Sequence, residues 1–242
     1  MQRVAHITSL GVAESFLPDP GEQVLPGIIW GRHDQLFTPA YWAYHAWLAE
    51  VSNLPFYFKL GDSLYEEIAA CLLGGYGIRA EVATAAFARL RKRGQLNGKV
   101  TSRQLYLSLS EPLSVQGNTV KYRFARQRSE YLAEALKAIS REEPPEDDLA
   151  FRLWLLKFRG IGPKTASWIT RNWKNSDRVA IIDVHIRRAG LLIGLYRSRD
   201  SLNNYYKMER NFLSFAEAVG VRASILDAMI WSHMRRWGNL AA

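Results

Sequence analysis

The stretch Leu156 to Ala166, LKFRGIGPKTA, constrains this chain more than any other. Gly160 and Gly162 permit backbone angles and close approaches that a Cβ forbids, so Phe158 to Gly162 is expected to form a tight turn between two helices. Pro163 suits the first helical position, where its missing N–H would be unpaired anyway. Lys164 then falls in the opening turn of a helix. Unpaired amides and the positive dipole end there favour a phosphate oxygen and disfavour an ammonium, and a neutral amine is a nucleophile. The turn is not a Walker loop, because Pro163 stands where that loop needs a glycine before the lysine.

Further along, the chain reads Ile181-Ile182-Asp183-Val184-His185. This pattern predicts an apolar, strand-like approach that ends in a helix N-cap at Asp183. Taken alone, a Gly-x-Gly-Pro turn is most often a connection and an aspartate here a simple cap. Taken together, an amine and a carboxylate beside a phosphate-binding turn suit attack at a sugar carbon of DNA.

The segment from about Leu153 to Leu195 resembles the helix-hairpin-helix DNA glycosylase superfamily. It is most similar to the 8-oxoguanine DNA glycosylase branch with its compact archaeal-type members. A weaker likeness runs from Ser63 to Ile139, and residues before about Leu60 match nothing in the pattern. The resemblance implies a mainly α, two-lobed fold with a central DNA-binding cleft. It gives Lys164 the place of the nucleophilic lysine and Asp183 that of the aspartate. Gly160, Gly162, Thr165 and His185 then fall near the DNA backbone. It also implies a monovalent cation at the hairpin, and otherwise no cofactor.

The expected organisation is an irregular, aromatic-rich segment over 1–60 packed on a helical body, a basic helical lobe over 61–148, and a hairpin lobe over 149–242. Charge supports a polyanion partner. Residues 79–141 hold 13 Lys/Arg against 4 Asp/Glu, a net charge of +9 that equals the whole chain's. Arg126 and Arg128 are the DNA-binding candidates from this block, although basic helices are often merely solvated faces. The single cysteine, Cys71, excludes an internal disulfide, a Cys-based zinc site and the four-cysteine iron–sulfur cluster of some superfamily members. No apolar run approaches the ~20 residues that span a bilayer, and the first residues lack signal-peptide order. A soluble, cytoplasmic, nucleoid-associated monomer with double-stranded DNA as its partner is the expectation.

Helices are expected from a capping box at Ser63 to Gly74, over 79–93, after Thr101, and from Arg126 to Ser140. The charged proline stretch 141–148 reads as an internal boundary. Beyond it come a short helix to Phe158, one from Pro163, one from Asp183, and two near 201–218 and 222–236. The first sixty residues hold five prolines among many aromatic rings, and short strands are expected around Val24 to Trp30. Their aromatics are read mainly as packing.

Three further sites follow. Trp168, one turn after Lys164, shares its helix face and could stack a flipped base. Trp231 corresponds to a late aromatic of archaeal relatives and could form the opposite wall, with core packing the stronger reading. Tyr76 or Ile78, beyond the Gly74-Gly75 turn, is a candidate wedge for the gap left by the flipped nucleotide. The expected function is a bifunctional DNA glycosylase/AP lyase acting on an 8-oxoguanine-like base through a lysine Schiff base. Two alternatives stand beside it. One is a glycosylase acting on a bulky modified base of foreign DNA, and the other is a non-catalytic hairpin protein that grips phosphates.

Overall fold

The computed structural model describes residues 1–9, 11–53, 58–75 and 77–237, with backbone only at 202. The chain begins with an antiparallel hairpin of β1 (Gln2–Thr8) and β2 (Gly11–Leu17), followed by a short pair, β3 (Gln23–Leu25) and β4 (Ile28–Ile29). The second pair lies where short strands were expected, whereas the first had no sequence expectation. Helix α1 (Pro39–Val51) starts with Pro39 in its first turn and the Thr38 hydroxyl accepting the Tyr41 amide. This segment is therefore more regular than its prolines suggest.

Next come α2 (Leu64–Leu73), α3 (Ala80–Lys92) and α4 (Ser102–Ser110), then a small antiparallel pair, β5 (Leu113–Val115) and β6 (Asn118–Val120). After them run α5 (Ala125–Ile139), α6 (Asp148–Leu155) and α7 (Pro163–Lys174). The chain closes with α8 (Val184–Leu192), a 3-10 turn over Leu202–Asn204, α9 (Tyr205–Ala218) and α10 (Ala223–Trp237). Helix starts follow the local chemistry. Thr101 and Gln104 form the reciprocal capping box, while at α2 Ser63 caps the Glu66 amide and the Glu66 carboxylate instead accepts the Asp62 amide. No helix among the described residues is long and apolar enough to cross a membrane.

The chain divides into two compact units, Phe58–Ser176 and Met1–Tyr57 with Asp177–Ala242. Two packing facts bear on this division. The 141–148 stretch separates nothing, because Asp147 caps the Leu149 and Ala150 amides at 3.0 and 2.9 Å and Glu142 accepts the Trp154 indole N–H at 2.8 Å. Phe151, Trp154 and Leu155 consequently join one core with Ile68, Leu72, Leu90, Leu132 and Leu136. Of the N-terminal aromatics, Trp42 and Phe37 share the other core with Ile182, Ile186, Phe212, Phe215 and Leu226. Counted on these units, charge is sharply uneven: Phe58–Ser176 holds 20 Lys/Arg against 12 Asp/Glu, and the rest of the chain 12 against 11.

Candidate active site

The turn between α6 and α7 is built from the unit core outward. Phe158 and Ile161 are buried, Phe158 meets the Trp154 ring edge to face at 4.7 Å, and the Ile161 amide donates to the Phe158 carbonyl at 3.1 Å. Gly160 takes φ +86°, and a Cβ there would lie 2.2 Å from Tyr131 Cδ2. A side chain is excluded by conformation and by contact alike. Tyr131 in turn lies under the Arg159 guanidinium at 4.9 Å, and Arg159 pairs with Glu134 at 2.6 Å.

Gly162 differs from the sequence expectation. Its φ of −92° is ordinary extended backbone, and a Cβ there would meet nothing within 4 Å. What the glycine provides is access. As N-cap of α7 it has no side chain to cap with, and Pro163 has no N–H. The amides of Lys164 and Thr165 have no acceptor among the described residues, since the first helical bond is Ala166 N–H to Gly162 O at 2.9 Å. Lys164 is half-buried, with Nζ 6.0 Å from the centre of the Trp168 ring and no hydrogen bond or ion pair among the described residues. Trp168 is itself half-buried, and its ring edge would lie 3.3 Å from a Cβ at Gly74.

Asp183 belongs to the other unit. Residues 180–182 approach it without regular secondary structure rather than as a strand, and side chains accept their amides where a sheet neighbour would. The Ala180 amide donates to Glu209 at 3.1 Å and the Ile181 amide to Asp227 at 3.2 Å. The Tyr205 hydroxyl accepts the Ile182 amide at 3.3 Å and donates to the Ala180 carbonyl at 2.6 Å. Asp183, only 7% exposed, then caps α8: its Oδ1 accepts the His185 and Ile186 amides at 2.8 and 2.9 Å. The second oxygen has no partner among the described residues.

Glu67, Glu209 and Asp227 were not singled out from sequence. Each sits in the apolar stripe of its helix: Glu67 among Leu64, Ile68, Cys71 and Leu72, Glu209 among Tyr205, Met208 and Phe212, and Asp227 among Ala223, Leu226 and Ile230. A carboxylate at a core position, needing buried donors, is the signal that could have found them.

The remaining candidates fall as follows. His185 is half-buried, with its ring 6.3 Å from Trp231, and the Arg235 guanidinium lies 5.2 Å from the same indole. At 39% exposed, Trp231 is not a core residue, which corrects the packing reading. The Arg126 side chain is 88% exposed and pairs with Glu130 at 3.7 Å. Arg128 is half-buried beside Gly75 and Tyr122, whose phenol is pushed up by burial against the opposing pull of this guanidinium. Ile78 packs half-buried on the core of its unit, and Tyr76 lies outside the described residues. Cys71 is buried, its thiol pushed well up by burial first and then by Glu67.

A helix, a glycine turn and a second helix that opens uncapped make this a helix-hairpin-helix protein. The family model described as 8-oxoguanine DNA glycosylase matches residues 56–221, and the chain belongs to that family. It is similar to the 8-oxoguanine DNA glycosylase/AP lyase of Metallosphaera sedula, at 32% identity over 52% of this chain and 65% of that protein. The chain thus spans a little under two thirds of that relative's length. Among solved structures it is similar to the Methanocaldococcus jannaschii 8-oxoguanine glycosylase/lyase in complex with a 15mer DNA containing 8-oxoguanine. That match has 26% identity and a TM-score of 0.52, covering 72% of this chain and 81% of the other. The 8-oxoguanine DNA glycosylase of Thermotoga maritima shares the fold, with TM-score 0.59, 23% identity, and 82% and 97% of the chains covered.

Proposed function

We propose that this protein is a bifunctional DNA glycosylase/AP lyase that excises an 8-oxoguanine-like base. The observation that carries the reading is the state of Lys164, an amine without a hydrogen-bond or ion-pair partner among the described residues, in the opening turn of a helix that no side chain caps. Family membership and the activity named for its relatives support it. The charge of the hairpin-bearing unit suits duplex DNA, gripped mainly through phosphates. One phosphate would accept the Lys164 and Thr165 amides, with the open side of Gly162 giving it room. Arg126 and His185 would make further backbone contacts, and Arg128 acts closer to the Gly75 turn.

The target base lies inside the stack and has to turn outward before it reacts. Trp168, and the exposed Trp231 between His185 and Arg235, are the stacking surfaces we assign to it. Ile78 is the wedge candidate within the described residues. Lys164, as the neutral amine, attacks C1′ of the deoxyribose. The C1′–N bond breaks and the base leaves with its electron pair. Asp183, through the carboxylate oxygen not used in capping, stabilises positive charge developing on the sugar. The base takes a proton from the amine now bound to C1′, whose lone pair then opens the ring at O4′, protonated from water, to leave a protonated imine. Water takes a C2′ proton, and the electron pair left behind expels the 3′ phosphate by β-elimination. Amine, carboxylate and water carry these steps without a cofactor. A monovalent cation would be held by hairpin carbonyls: the Phe158 oxygen accepts the Ile161 amide and keeps a second lone pair. One duplex and one site make a monomer sufficient.

The test is incubation with a duplex carrying one 8-oxoguanine. A strand nick with an unsaturated aldehyde on its 3′ end is expected. Equal affinity for damaged and undamaged duplex, with no nick at all, would favour a phosphate grip. Turnover of a duplex bearing a bulky modified base and not of 8-oxoguanine would move the substrate toward foreign DNA.

A further inference from the structure

Glu67 has no exposed surface, yet its carboxylate sits at the seam of α2 and α7, the helix that carries Lys164. Its Oε2 accepts the Leu60 amide at 2.6 Å and the Gly61 amide at 3.2 Å, and its Oε1 accepts Asn172 Nδ2 at 2.7 Å and the Cys71 thiol at 3.6 Å. Four donors on one buried carboxylate leave it little freedom to move. Asn172 is 2% exposed, and its Oδ1 is buried without a partner, so the bond to Glu67 is what this amide is there to make. Along the seam the helices run antiparallel. Glu67 meets Asn172 and, two turns further along α2, Gly74 meets Trp168, one turn back on α7. Lys164, Trp168 and Asn172 recur every four residues and so share one side of α7.

Beside the buried Ala166 and Ile169, which share a core with Ile68 and Leu72, two features bear on how α7 lies on α2. The Gly74–Trp168 contact is apolar and permits rotation or sliding with little change in area. The Glu67–Asn172 bond is directional and permits one register. From these observations, we infer that Glu67 and Asn172 are positioning residues for Lys164, fixing the rotation and register of α7 and with them the point at which the amine emerges. The inference rests on the lyase reading of Lys164. A slip of ~1 Å at a nucleophile can cost on the order of 100-fold in rate without touching the chemistry itself.

The test measures single-turnover, borohydride-trapped adduct formation at saturating abasic-site duplex, at a temperature where each variant retains its native circular dichroism. Glu67→Gln turns an N–H₂ toward existing donors, and Asn172→Ala removes one bond and leaves the other three. Each is expected to slow trapping by about 10- to 100-fold while Kd for a duplex with a reduced abasic analogue stays within about threefold. The reciprocal pair, Glu67→Gln with Asn172→Asp, lets the new amide donate to the new carboxylate and should restore the rate to within about threefold of wild type. Trapping at the wild-type rate in both single variants would overturn the inference. So would rate and affinity falling together, or a reciprocal pair that regains its melting temperature without its rate. A wild-type protein that forms no adduct defeats the lyase reading itself, whereas a wild type that traps beside unaffected variants defeats only the positioning role.

Discussion

The starts of α7 and α8 are the same backbone device put to opposite uses. At α8 the aspartate closes the helix end with its own carboxylate, so the amides of His185 and Ile186 are consumed internally. At α7 the capping position is a glycine and the next residue a proline, so the amides of Lys164 and Thr165 stay open and the positive end waits for a negative charge from outside. A closed end organises its own side chain, and an open end organises a ligand. The stability lost by leaving α7 uncapped is recovered nearby, in the buried Phe158 and Ile161 and the Tyr131 ring against Gly160.

Several substitutions can break or sharpen this contrast. The largest effect is expected at the open end. Lys164→Gln should cut single-turnover nicking by on the order of 10³-fold or more while duplex affinity stays nearly constant, as measured by gel and by anisotropy. At the closed end, Asp183→Asn should lower the same rate by about 100-fold. Because Asn caps as well as Asp, its melting temperature should barely change, and a matching loss of stability would reduce Asp183 to a cap. Gly160→Ala places a methyl against Tyr131 and a side chain at positive φ, and denaturant unfolding should report about 2–4 kcal/mol lost.

Gly162→Ser inverts the contrast by closing the open end. The new hydroxyl can cap, so stability should rise by a few tenths of a kcal/mol while duplex binding weakens severalfold. Stronger binding would mean that the open amides hold no phosphate. The smallest effect is a pH dependence confined to the unit that holds Asp183. There the Tyr41 hydroxyl meets His233 Nδ1 at 2.8 Å, and the His45 ring lies 4.8 Å from the His233 ring. Burial, then His233, lowers His45 to about 4, and burial, then Arg236, lowers His233. The unfolded chain therefore binds more protons than the folded one between about pH 6.5 and 4. Stability is full above that window and falls as pH drops through it. His45→Phe should flatten the melting-temperature profile there, and an unchanged profile would remove His45 from the account.

Much of this was legible in sequence because its signals were local. Five of the expected helices begin at a side-chain cap or a proline that needs no distant partner, and the Gly-x-Gly-Pro-Lys turn is itself a local signal. The first sixty residues were harder for two reasons. The outer face of the β1–β2 hairpin carries exposed Ile7, Val12 and Phe16, so apolar alternation is masked. In α1 the Thr38-Pro39 start signal was present but hidden among other prolines, and its rings bury on several faces at once. Which helices would share a core was not readable at all, since that depends on grouping such as Phe151 with Leu132 in one core and Trp42 with Phe212 in the other, across long separations. The buried acids stood in plain view at core positions, but their donors come from distant segments.

The proposed chemistry turns on one particular amine bonding to the sugar. The most direct measurement is mass mapping of the peptide left carrying a sugar fragment, after the enzyme is reduced with borohydride on an 8-oxoguanine duplex and digested with nuclease and protease. The added mass is expected on Lys164. A fragment on another lysine or on the N-terminal amine, with Lys164 unmodified, would contradict it.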